Sequence, residues 1–373
     1  MRSRFVVFLC VIQAILFLGH WFVYETWTWF WRLPANSLDP PGNSGLAVAM
    51  AFLSVSFLSA SLLAYRYKHL LVRAFYTVSA AWLGTVLYFL LAAIISWPLY
   101  GIARLSNLRL QRWPIAVITF GLALVVSLYG IINAARPRLK HITVRLPNLP
   151  ESWRTRTAAL VTDTHLGPVR SYGSLRRIVS AIAGQRPDLV LIGGDFYDGT
   201  AADYDGLARP WTGLSVPFGI HFIAGNHEEF SDSRKYFDAL EKSGVNVLGH
   251  DKLTLDGLQF VGVHYHNASH PDRLRSNLQR AAIDRTQPSI LLTHAPDHPQ
   301  VAAEEGISLQ LSGHTHRGQF FPFTRIVDRV YRQFAYGLQR CGDLFVYTSC
   351  GAGTWGPPLR VGTTPEIVMI HFE

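Results

Sequence analysis

Ser312-Gly313-His314-Thr315-His316 follows the apolar run Ile307–Leu311, and four earlier segments of the same build complete it. Asp163-Thr164-His165 follows Ala158–Thr162, and Gly194-Asp195 follows Leu189–Ile192. Gly225-Asn226-His227-Glu228 follows Ile220–Ile223, and Thr293-His294 follows Ile290–Leu292. An apolar run ending in a metal-ligating residue type, five times in order, predicts strands of an α/β sheet whose ligands gather outside their carboxyl ends. Taken singly the pieces carry little. D-x-H is commonly a surface turn, G-D a strand-to-turn junction, and G-N-H-E a helix start with Asn226 as N-cap. The ordered conjunction outweighs those readings.

The residue types define the chemistry. Two cations about 3.5–4 Å apart can clamp a phosphoryl group and activate a water. Holding them takes several ligands each, with at least one shared, and a carboxylate bridges well. The segments offer Asp, His, Asp, Asn, His, His and His. Mixed nitrogen and oxygen donors suit manganese, iron or zinc and point away from calcium, which takes oxygen ligands. Cys10, Cys341 and Cys350 lie outside all five segments.

The order D-x-H, G-D, G-N-H-E, H, G-H-x-H resembles that of the calcineurin-like metallophosphoesterases, over roughly Thr157 to Glu373. The resemblance implies a four-layer α/β fold, a β-sandwich flanked by helices. It also implies two divalent metal ions. Carried over by position, Asp163, His165 and His316 bind the first ion, Asn226, His294 and His314 bind the second, and Asp195 bridges them. His227 is then the residue that steadies the transferring phosphoryl group or protonates the leaving oxygen, with Glu228 orienting it. Histidine suits that task because its unperturbed pKa lies near neutrality.

Neighbouring residues allow two readings each. Asp198 completes G-D-x-x-D and either orients a ligand from behind or caps a helix. Arg317, directly after His316, either binds substrate phosphate or pairs outward. Of His264, His266 and His270, one lines the substrate pocket, or all are satisfied or solvent-facing.

Composition divides the chain near residue 140. Residues 1–139 hold eleven Lys or Arg against Glu25 and Asp39, which accounts for the whole formal charge of +9. Charge so placed indicates membrane flanks rather than nucleic acid, and no nucleic-acid partner is expected. Four apolar segments, about 5–23, 44–65, 75–100 and 114–135, contain no Asp, Glu, Lys or Arg. Each is close to the ~20 residues that span a bilayer, so 1–139 reads as a multi-pass, all-α transmembrane domain and 140–373 as the metallophosphoesterase domain. Trp21, Trp27, Trp29, Trp31 and Trp97 near the segment ends fit an aromatic belt. No small-residue cleavage site follows the first segment, which reads as an uncleaved anchor. With both termini inside, the inner loops carry nine Lys or Arg against four outside, and this bias sets the catalytic domain on the cytoplasmic side.

In the second half, Lys140–Arg156 reads as a polar connector. Helices are expected at 176–186, 233–244, 272–283 and 296–305, a hairpin at Lys252–Val263 turning on Asp256-Gly257, and closing strands at 343–349 and 365–372. Phe320–Leu338 interleaves aromatic and aliphatic residues with Arg325, Arg329 and Arg332. It is either a surface for a membrane interface or an amphipathic helix packed on the sandwich. With the loop Thr354–Pro358, it makes the chain similar to the membrane-associated subgroup of the family, some of whose members act on lipid-linked substrates such as UDP-2,3-diacylglucosamine.

The expected function is that of a membrane-anchored phosphohydrolase. It would cleave a phosphodiester or pyrophosphate bond, in a lipid-like substrate, by attack of a bridging hydroxide. The alternatives are a general phosphoesterase for soluble nucleotides or phosphoproteins and a non-catalytic membrane scaffold. The complete set of expected ligands, with His227, speaks against the scaffold. A transporter is disfavoured because the apolar segments carry no charged residue.

Overall fold

The computed structural model describes residues 2–31, 44–106, 111–230 and 232–373. The loop residues Arg32, Asp39 and Arg109 and the side chains of Arg2 and Arg4, which entered the charge count, lie outside the described residues. The chain divides into two compact units, residues 1–132 with 356–359 and residues 133–355 with 360–373.

The first unit contains helices α1 (Arg2–Trp31), α2 (Ser44–Arg66), α3 (Leu70–Leu105) and α4 (Trp113–Ala134), all long and apolar enough to cross a membrane. α1 and α3 run past the expected 5–23 and 75–100. Charge and aromatic residues mark where hydrocarbon would end, whereas a nucleated helix propagates cheaply beyond that point. The tryptophans differ from a simple belt. Trp29 packs on Trp97 at 4.5 Å and on Tyr100 at 5.1 Å, and Trp97 Nε1 donates to Thr26 Oγ1 at 3.1 Å. These rings join α1 to α3. His20 is satisfied by Trp82, whose Nε1 donates to His20 Nε2 at 2.9 Å.

The second unit is a sandwich of two six-stranded sheets. Its strands are β1 (Arg138–Val144), β2 (Thr157–Val161), β3 (Leu189–Ile192), β4 (Ile220–Phe222), β5 (Val245–Val247), β6 (Lys252–Leu255), β7 (Leu258–Val263), β8 (Ser289–Thr293), β9 (Leu309–Ser312), β10 (Gly337–Cys341), β11 (Leu344–Thr348) and β12 (Glu366–Phe372). The orders are β1-β12-β2-β3-β4-β5 and β10-β11-β9-β8-β7-β6. β2 to β5 are parallel, as are β7, β8, β9 and β11.

Side-chain alternation builds the layers. Leu160, Leu191, Val368 and Ile370 of one sheet meet Phe260, Ile290, Leu292 and Leu311 of the other. Ala159, Val161, Val190 and Ile192 face outward onto Leu175, Ile178 and Ile182 of the helix Tyr172–Gln185. Val261, Val263 and Leu291 face Leu274 and Leu278 of the helix Pro271–Ala281. Strands buried on both faces read as unbroken apolar runs, and each Leu or Ile so buried contributes about 1.5–3 kcal/mol.

The connector expected at 140–156 is corrected. Arg138–Val144 is an edge strand paired in parallel with β12. Only Val144 in it is buried, so its sequence lacks the apolar alternation that marks a strand.

Candidate metal centre

The five segments converge where the carboxyl ends of β2, β3 and β4 face those of β8 and β9. Asp163 and His165 follow β2, Asp195 follows β3, Asn226 opens the one-turn helix Asn226–Glu229 after β4, His294 follows β8, and His314 and His316 follow β9. Asp163, His165, Asp195, His314 and His316 all have positive φ, between 45° and 67°. Such left-handed residues cost about 1–3 kcal/mol each and persist where the surrounding structure over-determines them. Close packing also dictates the glycines. A side chain on Gly313 would strike Asp163, and one on Gly225 would strike Asp195.

The donor atoms form two sets. In the first, His165 Nε2 and His316 Nε2 are 3.0 Å apart, and Asp163 Oδ1 is 3.5 Å from His316 Nε2. In the second, His294 Nε2 is 3.1 Å from Asn226 Oδ1, 3.2 Å from His314 Nδ1 and 3.2 Å from Asp195 Oδ2. Asp195 Oδ2 is also 3.7 Å from His165 Nε2, which makes Asp195 the link. The ligand atoms of Asp163, His165 and His316 lie within 4.8 Å of one another, as do those of Asp195, His294 and His314. Neighbouring ligands on one ion stand roughly 3 Å apart when metal–nitrogen bonds are about 2.1 Å. The spacing fits metal ions.

The charge balance fits them as well. Among the described residues, Asp163 and Asp195 are buried and make their close ion-pair contacts with histidines alone. Burial pushes the Asp163 carboxyl up to about 6. Burial acts the same way on Asp195, but the charges of His294, His165 and His227 outweigh it and hold the carboxyl well below the usual range. Burial by itself lowers His294, yet Asp195 and Asp163 push it up to about 10. Burial keeps His165 and His316 well below their ordinary value and His314 at about 3, which is the neutral form that ligates metal. Two buried carboxylates stand beside three imidazoles kept neutral, with His294 alone pushed toward its cationic form, and this imbalance calls for further cations. His294 Nδ1 donates to the Gly193 carbonyl at 2.8 Å, which turns Nε2 inward, where loss of its proton would free it to ligate a metal.

Residues 157–318 match the family model of the calcineurin-like phosphoesterases. The chain is 31% identical to a metallophosphoesterase of Campylobacter jejuni over 69% of its own length and 70% of that protein. The chain belongs to the calcineurin-like phosphoesterases. It is also 32% identical to a transmembrane protein with metallophosphoesterase domain from Danio rerio, over 69% of this chain and 62% of that one. A metallophosphoesterase of Helicobacter pylori is 31% identical over 64% of each chain. The family is one of phosphoric ester hydrolases, and its domain implies divalent metal ions.

Around this phosphoesterase centre several side chains take places that the sequence left open or put elsewhere. Glu228 does not reach the His227 ring. It is the third residue of a single helical turn, so its carboxylate folds back as in a capping box. It accepts from Gly225 N at 2.9 Å, Asp195 N at 3.0 Å and Tyr197 N at 2.9 Å, holding the Asp195 and Asn226 turns together. His227 is oriented instead by the Asp198 carbonyl, which accepts from His227 Nδ1 at 3.0 Å. The Asp198 carboxylate is buried behind the first set, 3.8 Å from His165 Nδ1, so the helix-cap reading falls.

Arg317 takes the outward course, with its Nε 3.9 Å from Asp328 Oδ1 and its guanidinium over the Tyr336 ring. His264 accepts from Ala224 N at 2.9 Å and stacks on Phe237. His266 faces Arg273 at the surface, where His270 packs beside it. His264 is therefore satisfied by backbone, and His266 and His270 are exposed. The residue between them is the one near the site. The Tyr265 ring centroid is 5.5 Å from that of His314 and 5.8 Å from that of His294, and no local pattern distinguished it from its histidine neighbours.

Proposed function

We propose that the chain is a membrane-tethered two-metal phosphohydrolase that cleaves a phosphodiester or pyrophosphate bond in an amphipathic, lipid-like substrate. The observation that carries this reading is the pair of donor sets joined at Asp195, whose Oδ2 is 3.2 Å from His294 Nε2 and 3.7 Å from His165 Nε2. Asp163, His165 and His316 would hold one ion, and Asn226, His294 and His314 the other, with Asp195 common to both. Manganese, iron or zinc suits this donor set. Such a pair supplies Lewis acidity at the phosphoryl oxygens and a water acidic enough to attack phosphorus.

The chain's own groups do the rest. With its Nδ1–H given to the Asp198 carbonyl, His227 turns Nε2 toward the centre, 4.0 Å from Asp195 Oδ2. In the imidazolium form that Nε2–H is the proton passed to the leaving oxygen as its bond to phosphorus breaks. Tyr265 and Tyr331 border His314. Burial raises both phenols, Tyr331 to about 12, so each offers a neutral O–H to the substrate.

The lipid-like part of the substrate is supported by the helix Phe323–Tyr331, which buries none of its residues. Phe323, Ile326 and Val330 are exposed along it and Phe321 just before it, with Arg325 and Arg329 interleaved, and its last residue packs 6.4 Å from His314. Each Arg can add about 1 kcal/mol toward anionic lipid. Phe320 is buried against Phe323 and belongs to the interior. The full chain carrying Phe321→Ser, Ile326→Ser and Val330→Ser should therefore lose about tenfold or more in kcat/KM on a long-chain alkyl phosphodiester in micelles. It should keep its rate on bis-p-nitrophenyl phosphate. A tenfold loss is about 1.4 kcal/mol, which roughly 55 Å² of apolar contact supplies. Equal losses on both substrates would make the segment part of the core, and no loss on either would favour soluble substrates.

We assign the catalytic unit to the cytoplasmic side of a multi-pass protein, from the nine-to-four bias of loop charges. A reporter fused after Glu373 that is active only in an exported compartment would reverse the topology.

A further inference from the structure

Arg360 is fully buried and sits in a turn-rich stretch that no motif marks. Its acceptors are carbonyl oxygens, one hydroxyl and one imidazole rather than a carboxylate. Nη2 donates to Cys350 O at 2.6 Å and Gly353 O at 2.7 Å, with Gly351 O at 3.5 Å. Nη1 donates to His316 O at 3.1 Å and Thr363 Oγ1 at 3.4 Å, and Nε to Gly353 O at 3.3 Å. Nη2 also lies 3.1 Å from His316 Nδ1. Burying a guanidinium without a paired carboxylate is costly, so this one calls for a task.

Thr363 apart, the acceptors belong to the turn of His316 and to the segment 350–353. Ala352 N donates to Thr162 O and Gly353 N to Asp163 O, both at 2.9 Å, so the 350–353 segment lies along the Asp163 turn. His316 lies in the other turn and is gripped at both its carbonyl and its ring. One planar fork thus ties together the turns that carry Asp163 and His316. Among the described residues it makes no hydrogen bond to Asn226, His294 or His314.

We propose that Arg360 is a positioning residue for the first metal set. It fixes the approach of His316 to Asp163 and holds the His316 ring with Nε2 turned into the centre. The second set owes it nothing directly. Lysine cannot replace it, because one ammonium group on a flexible stem lacks the several fixed N–H directions of the fork.

This inference rests on the ligand assignment above, and the test separates the two. Mn(II) binding to the full chain in detergent is measured by titration, following the free-ion electron paramagnetic resonance signal. His314→Ala leaves only the first set intact. Adding Arg360→Lys there should weaken binding by about 10–100-fold, as loss of a group that orients a ligand does. His316→Ala leaves only the second set, and Arg360→Lys should not change its binding. Equal weakening in both backgrounds, or none in the first, overturns the role of Arg360. Two ions still bound tightly in His316→Ala overturns the ligand assignment and the inference with it. Should the lysine variant fail to fold, Thr363→Val loosens the fork and leaves the guanidinium in place. A weakening confined to the His314→Ala background then supports the role, and an equal or absent change removes it.

Discussion

Asp195→Asn is expected to reduce activity by at least about 10³-fold and to leave the purified protein with one metal ion or fewer, at unchanged fold. The substitution is nearly isosteric, so the loss follows from one atom. Asp195 Oδ1 accepts from His227 N at 2.9 Å, and an amide can satisfy that bond only through its oxygen. Its NH₂ must then occupy the Oδ2 position, 3.2 Å from His294 Nε2 and 3.7 Å from His165 Nε2. A donor group there can bridge no cation. A factor of 10³ corresponds to about 4 kcal/mol of transition-state stabilisation, in keeping with the removal of a shared ligand from both sets. Elemental analysis reads the metal, a phosphodiester assay the rate, and circular dichroism the fold. Two ions with full activity in the variant would remove Asp195 from the centre.

The parts of this protein that were legible in its sequence are those where one physical demand acts on consecutive residues. β2, β3 and β8 are buried on both faces and are largely apolar runs, β9 alternates Leu309 and Leu311 with the buried polar Gln310 and Ser312, and each strand is followed by the ligand type that the centre needs. The apolar helices of the first unit are legible for the same reason. What escaped was built from contacts between distant residues. β1 has a single buried side chain and is held by its pairing with β12, more than two hundred residues away. The resemblance sets Glu228 at the His227 ring, but a helical turn sends the two side chains in different directions. Tyr265 reaches the centre only because β7 delivers it beside His314. Arg360 sits 44 residues from His316, in a stretch with neither apolar period nor metal-ligand type. The acceptors it finds are mostly backbone carbonyls, which leave no trace in residue identity.

His227→Ala should keep both metal ions and still lose about 10²–10⁴ in kcat, the range that general acid–base groups contribute. The two outcomes separate because His227 is tied to the centre in two different ways. Its backbone N–H donates to Asp195 Oδ1, and alanine keeps that bond, so the linking carboxylate stays in position. Its ring is held by the Asp198 carbonyl and stops 4.0 Å short of Asp195 Oδ2, near the donor sets without completing either the Asp163 or the His314 group. Removing the ring therefore removes a proton donor and leaves the ligands. The dependence on the leaving group then distinguishes two roles. A p-nitrophenolate departs readily without a proton, so its cleavage should slow least, while an alkyl phosphodiester, whose alkoxide needs the proton, should slow most. Plotted against leaving-group pKa, the variant should show a steeper fall in rate than the parent protein. Parallel plots, displaced equally for good and poor leaving groups, would exclude proton donation and leave His227 with electrostatic support of the phosphoryl group alone. Loss of metal in the variant would instead place the ring among the ligands, as the close grouping of His165, Asp195 and His227 also allows.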